Sequence, residues 1–293
     1  MIARTIFNAL KPFKLISLMM TYLMGAGLVK YFRGFSGWSV LIQGGFFLLF
    51  FVVSLELLCL LHSLQEPKRW LKAMGLEEVR LTRVVIATLS ATLLTVATSI
   101  LISWMKVTIL WHGLVFLLFV LFAVGTLYYL AQTNKYLKPY ALLIEVVLFV
   151  VIPPLLAYFL YSDDLHPFLT LVVISLTPAY LANRLLHLLE SFGHDQKYEV
   201  DTIVIRMGWE KALFFHNALI LLTYFLMALI SVLGAYWLII WPVFLTLPLG
   251  LLEIWLMERL RRGLKPLWWA MRVASACVFL LPIYFIGFSL WVH

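Results

Sequence analysis

The sequence predicts an all-α integral membrane protein of nine transmembrane helices in a single domain, residues 1–293, and three observations predict it. First, 64% of the residues are hydrophobic and 12% are charged, a balance outside the soluble range. Second, crossing about 30 Å of hydrocarbon with every backbone group bonded takes roughly 20 apolar residues per helix. Nine such runs occur, near 13–33, 38–61, 82–105, 109–131, 140–161, 168–190, 211–233, 236–257 and 268–291. Third, 19 of the 22 Lys and Arg fall in the alternate connections that include the amino terminus. Basic residues resist translocation, so the amino terminus is expected in the cytoplasm and the carboxyl terminus outside, with the chain in the cell inner membrane. The formal charge of +8 is accounted for by that asymmetry and by attraction to anionic membrane lipid, and it implies no nucleic acid. Cys59 and Cys277 both fall inside apolar runs, so a structural disulfide is not expected.

Each run carries its own signals. The first follows Arg4, Lys11 and Lys14 and precedes Lys30 and Arg33 with no small-residue cleavage site between, so it reads as a retained helix. Pro12 is tolerated in its first turn, where the missing N–H has no partner to lose. Gly25 and Gly27 suit close helix packing in lipid. The second run leads into a loop at 60–83, and Glu56 before it and Glu66 within it are the carboxylates nearest the helix end. The fourth ends in Leu127-Tyr128-Tyr129, before Lys135, Lys138 and Pro139. In the fifth, Glu145 lies about one turn inside the membrane, where an ionisable group is costly and faces a cavity or pairs with a Lys. Pro153-Pro154 should kink that helix. Trp237 and Trp241 mark an outer interfacial belt, and Trp268 and Trp269 an inner one.

The two long polar loops, about 62–82 and 191–210, read as copies. LLHSLQ at 60–65 parallels LLHLLE at 185–190, and MGLE at 74–77 parallels MGWE at 207–210. Four runs separate them, which predicts a parallel internal duplication, runs one to four against five to eight, with the ninth added. Helical spacing puts His187, Glu190 and His194 at i, i+3 and i+7 on one face, with Ser191 and Asp195 beside them. His62 and Glu66 form the matching pair on the duplicated helix end. These residues are candidate metal ligands, and imidazole among them would favour a transition metal over Mg2+. They also read as interfacial side chains satisfied by water. Glu145 and the two His-bearing helix ends are expected to line one pocket opening on the inner side, with an apolar wall behind it.

Asp195, Thr202 and Gly208, in that order and spacing, resemble the second aspartate motif of the UbiA-type intramembrane prenyltransferases, where an Asp-rich helix end runs into G-x-x-T-L-x-V-R-L-G. Lys11-Pro12-Phe13-Lys14 is similar to that family's R-P-x-K opening, and the segment from Tyr128 to Lys138 to its Y-x-x-P-x-R-L-K-R connection. Ser191 stands where the family has a second carboxylate, Glu199 where it has a loop glycine, and no Asp occurs at 60–83, where it carries N-D-x-x-D-x-x-x-D. The resemblance implies a UbiA-like bundle with a central cavity, and transfer of an isoprenyl chain from its diphosphate to an aromatic or lipid acceptor. It implies Asp195 and Glu190 as catalytic, Mg2+-holding carboxylates and Lys135, Lys138 and Arg206 as diphosphate-binding cations. A rebuilt site would instead place a transition metal on His62, Glu66, His187 and His194. The alternative is a catalytically silent relative that binds a lipid or quinone, as a subunit of a larger membrane complex.

Overall fold

A computed structural model describes residues 12–34, 37–63, 76–107, 112–134, 136–233 and 236–292. The described residues contain no strand and nine helices long and apolar enough to span a membrane. They are α1 Pro12–Arg33, α2 Trp38–Ser63, α3 Leu76–Val107, α4 His112–Thr133, α5 Lys138–Phe159, α6 Pro167–Lys197, α7 Trp209–Leu233, α8 Trp237–Arg261 and α9 Trp268–Val292. The chain is therefore an integral membrane protein. The helix limits follow the apolar runs within a few residues except in α3, which begins six residues early at Leu76 within the expected loop, and in α6, which continues to Lys197 and carries His194 and Asp195 in helical register beyond the apolar stretch.

α1 runs between α5 and α9, α2 packs on α3 and α4, and α6 packs on α7, α9 and α5. The α2–α3 and α6–α7 contacts are the most extensive and hold equivalent places under a shift of four helices, which supports the duplication. In its most apolar stretch α5 is 67% buried and α3 only 17%, so α5 is an interior helix and α3 a peripheral one. Phe116, Phe119, Phe214 and Leu238 project outward from the bundle, as hydrocarbon solvent allows.

The prolines shape α5 as expected. A π turn at Val147–Val151 precedes Pro153, whose missing N–H cannot bond the carbonyl of Phe149. Thr21 Oγ1 of α1 lies 3.1 Å from that oxygen across the helix interface, and its one hydrogen is shared among this carbonyl and those of Ser17 and Leu18. The same interface explains Gly25, because a β-carbon there would stand 2.4 Å from the carbonyl oxygen of Pro154. The glycine lets α1 and α5 touch backbone to backbone beside the π turn.

Candidate functional site

Five helices deliver charged or phenolic side chains to one buried point. Lys14 of α1, 1% exposed, donates to Glu56 Oε1 of α2 at 3.0 Å and to the Tyr128 hydroxyl of α4 at 2.6 Å, and also pairs with Glu145 of α5. Its three ammonium hydrogens are thereby used. Tyr128 donates to Glu56 Oε1 at 2.6 Å, and Arg184 Nε of α6 donates to Glu145 Oε2 at 2.9 Å. Two cations face two carboxylates, so the cluster is neutral as a whole, the condition under which charge is tolerated away from water. Lys14 and Arg184 read in the sequence as topology-setting basic residues facing headgroups. Folding turns both inward because carboxylates remote in sequence meet them there.

A cleft of about 150 Å³ opens against this network, its wall including Gln132, Lys138, Glu145, Arg184, Thr202 and Ile203. By the order of the helices it lies on the amino-terminal side of the bundle. The loop after α6 completes it. Thr202 caps a one-turn helix, Ile203–Met207, by accepting from Ile205 N at 3.4 Å, and Gly208 closes that helix at φ +82° with its N–H 2.9 Å from Val204 O. The motif residues Thr202 and Gly208 thus shape the loop. Arg206 grips Asp201 through Nε and Nη2, at 2.9 and 2.6 Å, and lies 5.8 Å from the Tyr140 ring centre. That pairing holds the Asp201 carboxyl below its ordinary range and raises the Arg206 guanidinium above its own.

The predicted ligands pair off instead of converging. His187 Nδ1 is 4.0 Å from Glu190 Oε2, which also faces Arg272 Nε at 3.7 Å. Ser191 Oγ donates to Asp195 Oδ2 at 2.8 Å, and His194 Nδ1 lies 3.5 Å from Asp195 Oδ1. His62 packs its ring 6.3 Å from that of Tyr129. Glu66 and Lys135 lie outside the described residues. Among the described residues no three His, Cys, Asp or Glu gather as they would around a metal ion. The physical reason is helical rise: seven residues advance about 10 Å along the axis, so one ion cannot join His187 to His194 although both share a face. Neither His62 nor His187 lines the cleft, whose charged residues are Lys138, Glu145 and Arg184.

Sequence reading also missed a second buried pair. His216 Nε2 of α7 is 3.0 Å from Glu253 Oε1 of α8, and both side chains are wholly buried. The signal was present, since Glu253 is an ionisable residue inside an apolar run.

No protein-family model and no curated protein matches the chain. Solved structures do. A structure of digeranylgeranylglyceryl phosphate synthase superposes with a TM-score of 0.57 at 15% identity, covering 97% of this chain and 98% of that one. A UbiA homologue from Archaeoglobus fulgidus bound to Cd2+ gives 0.59 at 13% identity, covering 97% and 98%. The UbiA homologue bound to GPP and Mg2+ gives 0.54 at 13% identity, covering 99% and 100%. The described residues of this chain have the UbiA-type prenyltransferase fold.

Proposed function

We propose that the chain is a UbiA-type membrane prenyltransferase that takes an isoprenyl diphosphate into the cleft beside Arg184 and passes the chain to an aromatic or lipid acceptor. The observation that carries this reading is the cleft itself: a pocket at the amino-terminal end of an apolar bundle, with Lys138 and Arg184 on its wall and Arg206 nearby on the Ile203–Met207 helix. Arg184 is held in place by Glu145, so its remaining N–H groups are pre-oriented toward an anion, and a planar guanidinium suits phosphate oxygens. Breaking the bond between the allylic carbon and the diphosphate oxygen sends the bonding electrons to the diphosphate. Fixed cations aimed at that developing charge lower the barrier. The acceptor then bonds to the carbon and gives up a proton. The basic asymmetry of the loops supports placing this cleft on the cytoplasmic face of the inner membrane.

Asp195 and Glu190 are the carboxylates on which an inherited Mg2+ would rest. Each is already engaged, Asp195 by Ser191 and Glu190 by Arg272 and His187. Among the described residues these contacts leave no ready-made cage of ligands, neither for Mg2+ on the carboxylates nor for a transition metal on the histidines, and the charge-stabilising role proposed here falls to the cations. The same pairing favours a second reading, a catalytically silent relative that binds a lipid or quinone within a membrane complex.

Purified protein incubated with labelled geranyl diphosphate and a panel of aromatic and lipid acceptors, with and without Mg2+, separates the two. Prenylated product lost in Arg184→Gln supports the enzyme. Retained binding with no product under any condition supports the silent relative. Asp195→Asn should abolish product if the inherited carboxylate matters, while His62→Ala and His187→Ala stay active. The opposite pattern would move the chemistry to the histidines.

A further inference from the structure

At the end of the bundle away from the cleft, the outward faces of α1 and α9 and the start of α2 bound an apolar groove of about 360 Å³. Its wall includes Met20, Met24, Trp38, Ile283, Gly287 and Trp291. It runs from mid-helix, at Ile283, to the helix end at Trp291, about 12 Å at the rise of an α-helix. Every lining residue belongs to a membrane span, so the medium that meets the groove is lipid and not water. The floor is open because Gly287 has no side chain: a β-carbon there would find its nearest neighbour, Met24 Cα, only at 4.0 Å. Methionine walls adapt to an irregular chain.

The mouth of the groove is polar in a particular way. Trp38 and Trp291 stack there, ring centres 5.4 Å apart, at the level where indoles anchor in headgroups. Lys30 sits over the Trp291 ring at 5.4 Å and is bonded to the Trp291 carbonyl oxygen. Its neighbour Arg33 is paired with Asp164, whereas the ion pairs of the described residues do not include Lys30. A cation with no carboxylate partner, fixed above a slot wide enough for a hydrocarbon chain, is complementary to one class of molecule.

We propose that this groove is a binding site for one anionic phospholipid of the leaflet at the α1 carboxyl end, its chain lying over Gly287 between Leu23 and Phe288 and its phosphate against Lys30. The site is independent of the cleft and of the reaction proposed for it.

Native mass spectrometry of the detergent-purified protein titrated with dioleoylphosphatidylglycerol or dioleoylphosphatidylcholine tests it. The wild type should take up one phosphatidylglycerol in preference to phosphatidylcholine by several-fold. Lys30→Gln should erase that preference, and Gly287→Leu should reduce binding of both lipids. Equal binding of the two lipids by the wild type, or a preference untouched by Lys30→Gln, would overturn the proposal. Lys30 is exposed, so its variant decides the matter even if Gly287→Leu fails to fold.

Discussion

Glu199 occupies φ +52°, in the left-handed region that side chains with a β-carbon avoid, at the place where the resembled motif carries glycine. The turn takes a backbone conformation that favours glycine, with Glu199 in that place. Glu199→Gly should therefore raise stability by about 1 kcal/mol, read as an upward shift in a thermal melt of the detergent-solubilised protein; a lower melting temperature would mean the Glu199 side chain does something the backbone does not show. Lys14 makes the opposite case. Replacing it by Met leaves Glu56 and Glu145 buried with Arg184 as the remaining cation, and breaking a buried pair in this way costs about 3–5 kcal/mol. The same melt should show Lys14→Met as strongly destabilised, and Glu56→Gln, which keeps an acceptor for Lys14 and Tyr128 but leaves one carboxylate against two cations, as destabilised too. Glu145 was legible in sequence as a buried carboxylate because an ionisable group inside an apolar run is conspicuous. Lys14 and Arg184 were not, because a basic residue near a helix end is what the positive-inside rule leads one to expect, and only their tertiary neighbours distinguish them.

Among elements, the α1–α5 contact and the start of α6 carry testable consequences. Gly25→Leu would drive a side chain into the Pro154 backbone, which cannot rotate away, and should cost about 1–3 kcal/mol or more. Gly208, in open space, should respond through its φ alone. At the other end, His166 Nδ1 accepts from Phe168 N at 3.2 Å, capping α6, and the ring stacks on Phe32. Burial and the neighbouring Arg33 hold its pKa below the ordinary 6.5. The folded state thus binds this proton less well than the unfolded one, so the contribution of His166 is intact above pH 6.5 and is lost as the pH falls through and below that value. His166→Asn, which can still cap, should show a shallower decline of melting temperature between pH 7 and pH 5; an unchanged slope would remove His166 from the account. The kink of α5 could be read from Pro153-Pro154. The carbonyl it frees and the hydroxyl of Thr21 that meets it could not, because their pairing depends on how two distant helices lie together.

At the scale of the whole molecule, the nine spans of the described residues were legible because apolar length is imposed by the bilayer on the sequence directly, and the UbiA-type fold because Asp195, Thr202 and Gly208 keep the order and spacing of a known motif. The site was legible only in part. Helical spacing correctly put His187, Glu190, His194 and Asp195 along α6, yet a shared face is not a shared point, and their partners turned out to be one another, Ser191 and Arg272. What assembles on the cleft wall is instead Lys138 and Arg184, brought together from α5 and α6. The central claim is that this wall holds a diphosphate, and equilibrium binding of geranyl diphosphate to the purified protein by titration calorimetry tests it most directly. The wild type should bind, and Lys138→Gln, which removes one charged contact worth about 1.5–3 kcal/mol, should weaken binding at least tenfold. Saturable binding that is unaltered in Lys138→Gln and in Arg184→Gln, or no binding by the wild type, would contradict it.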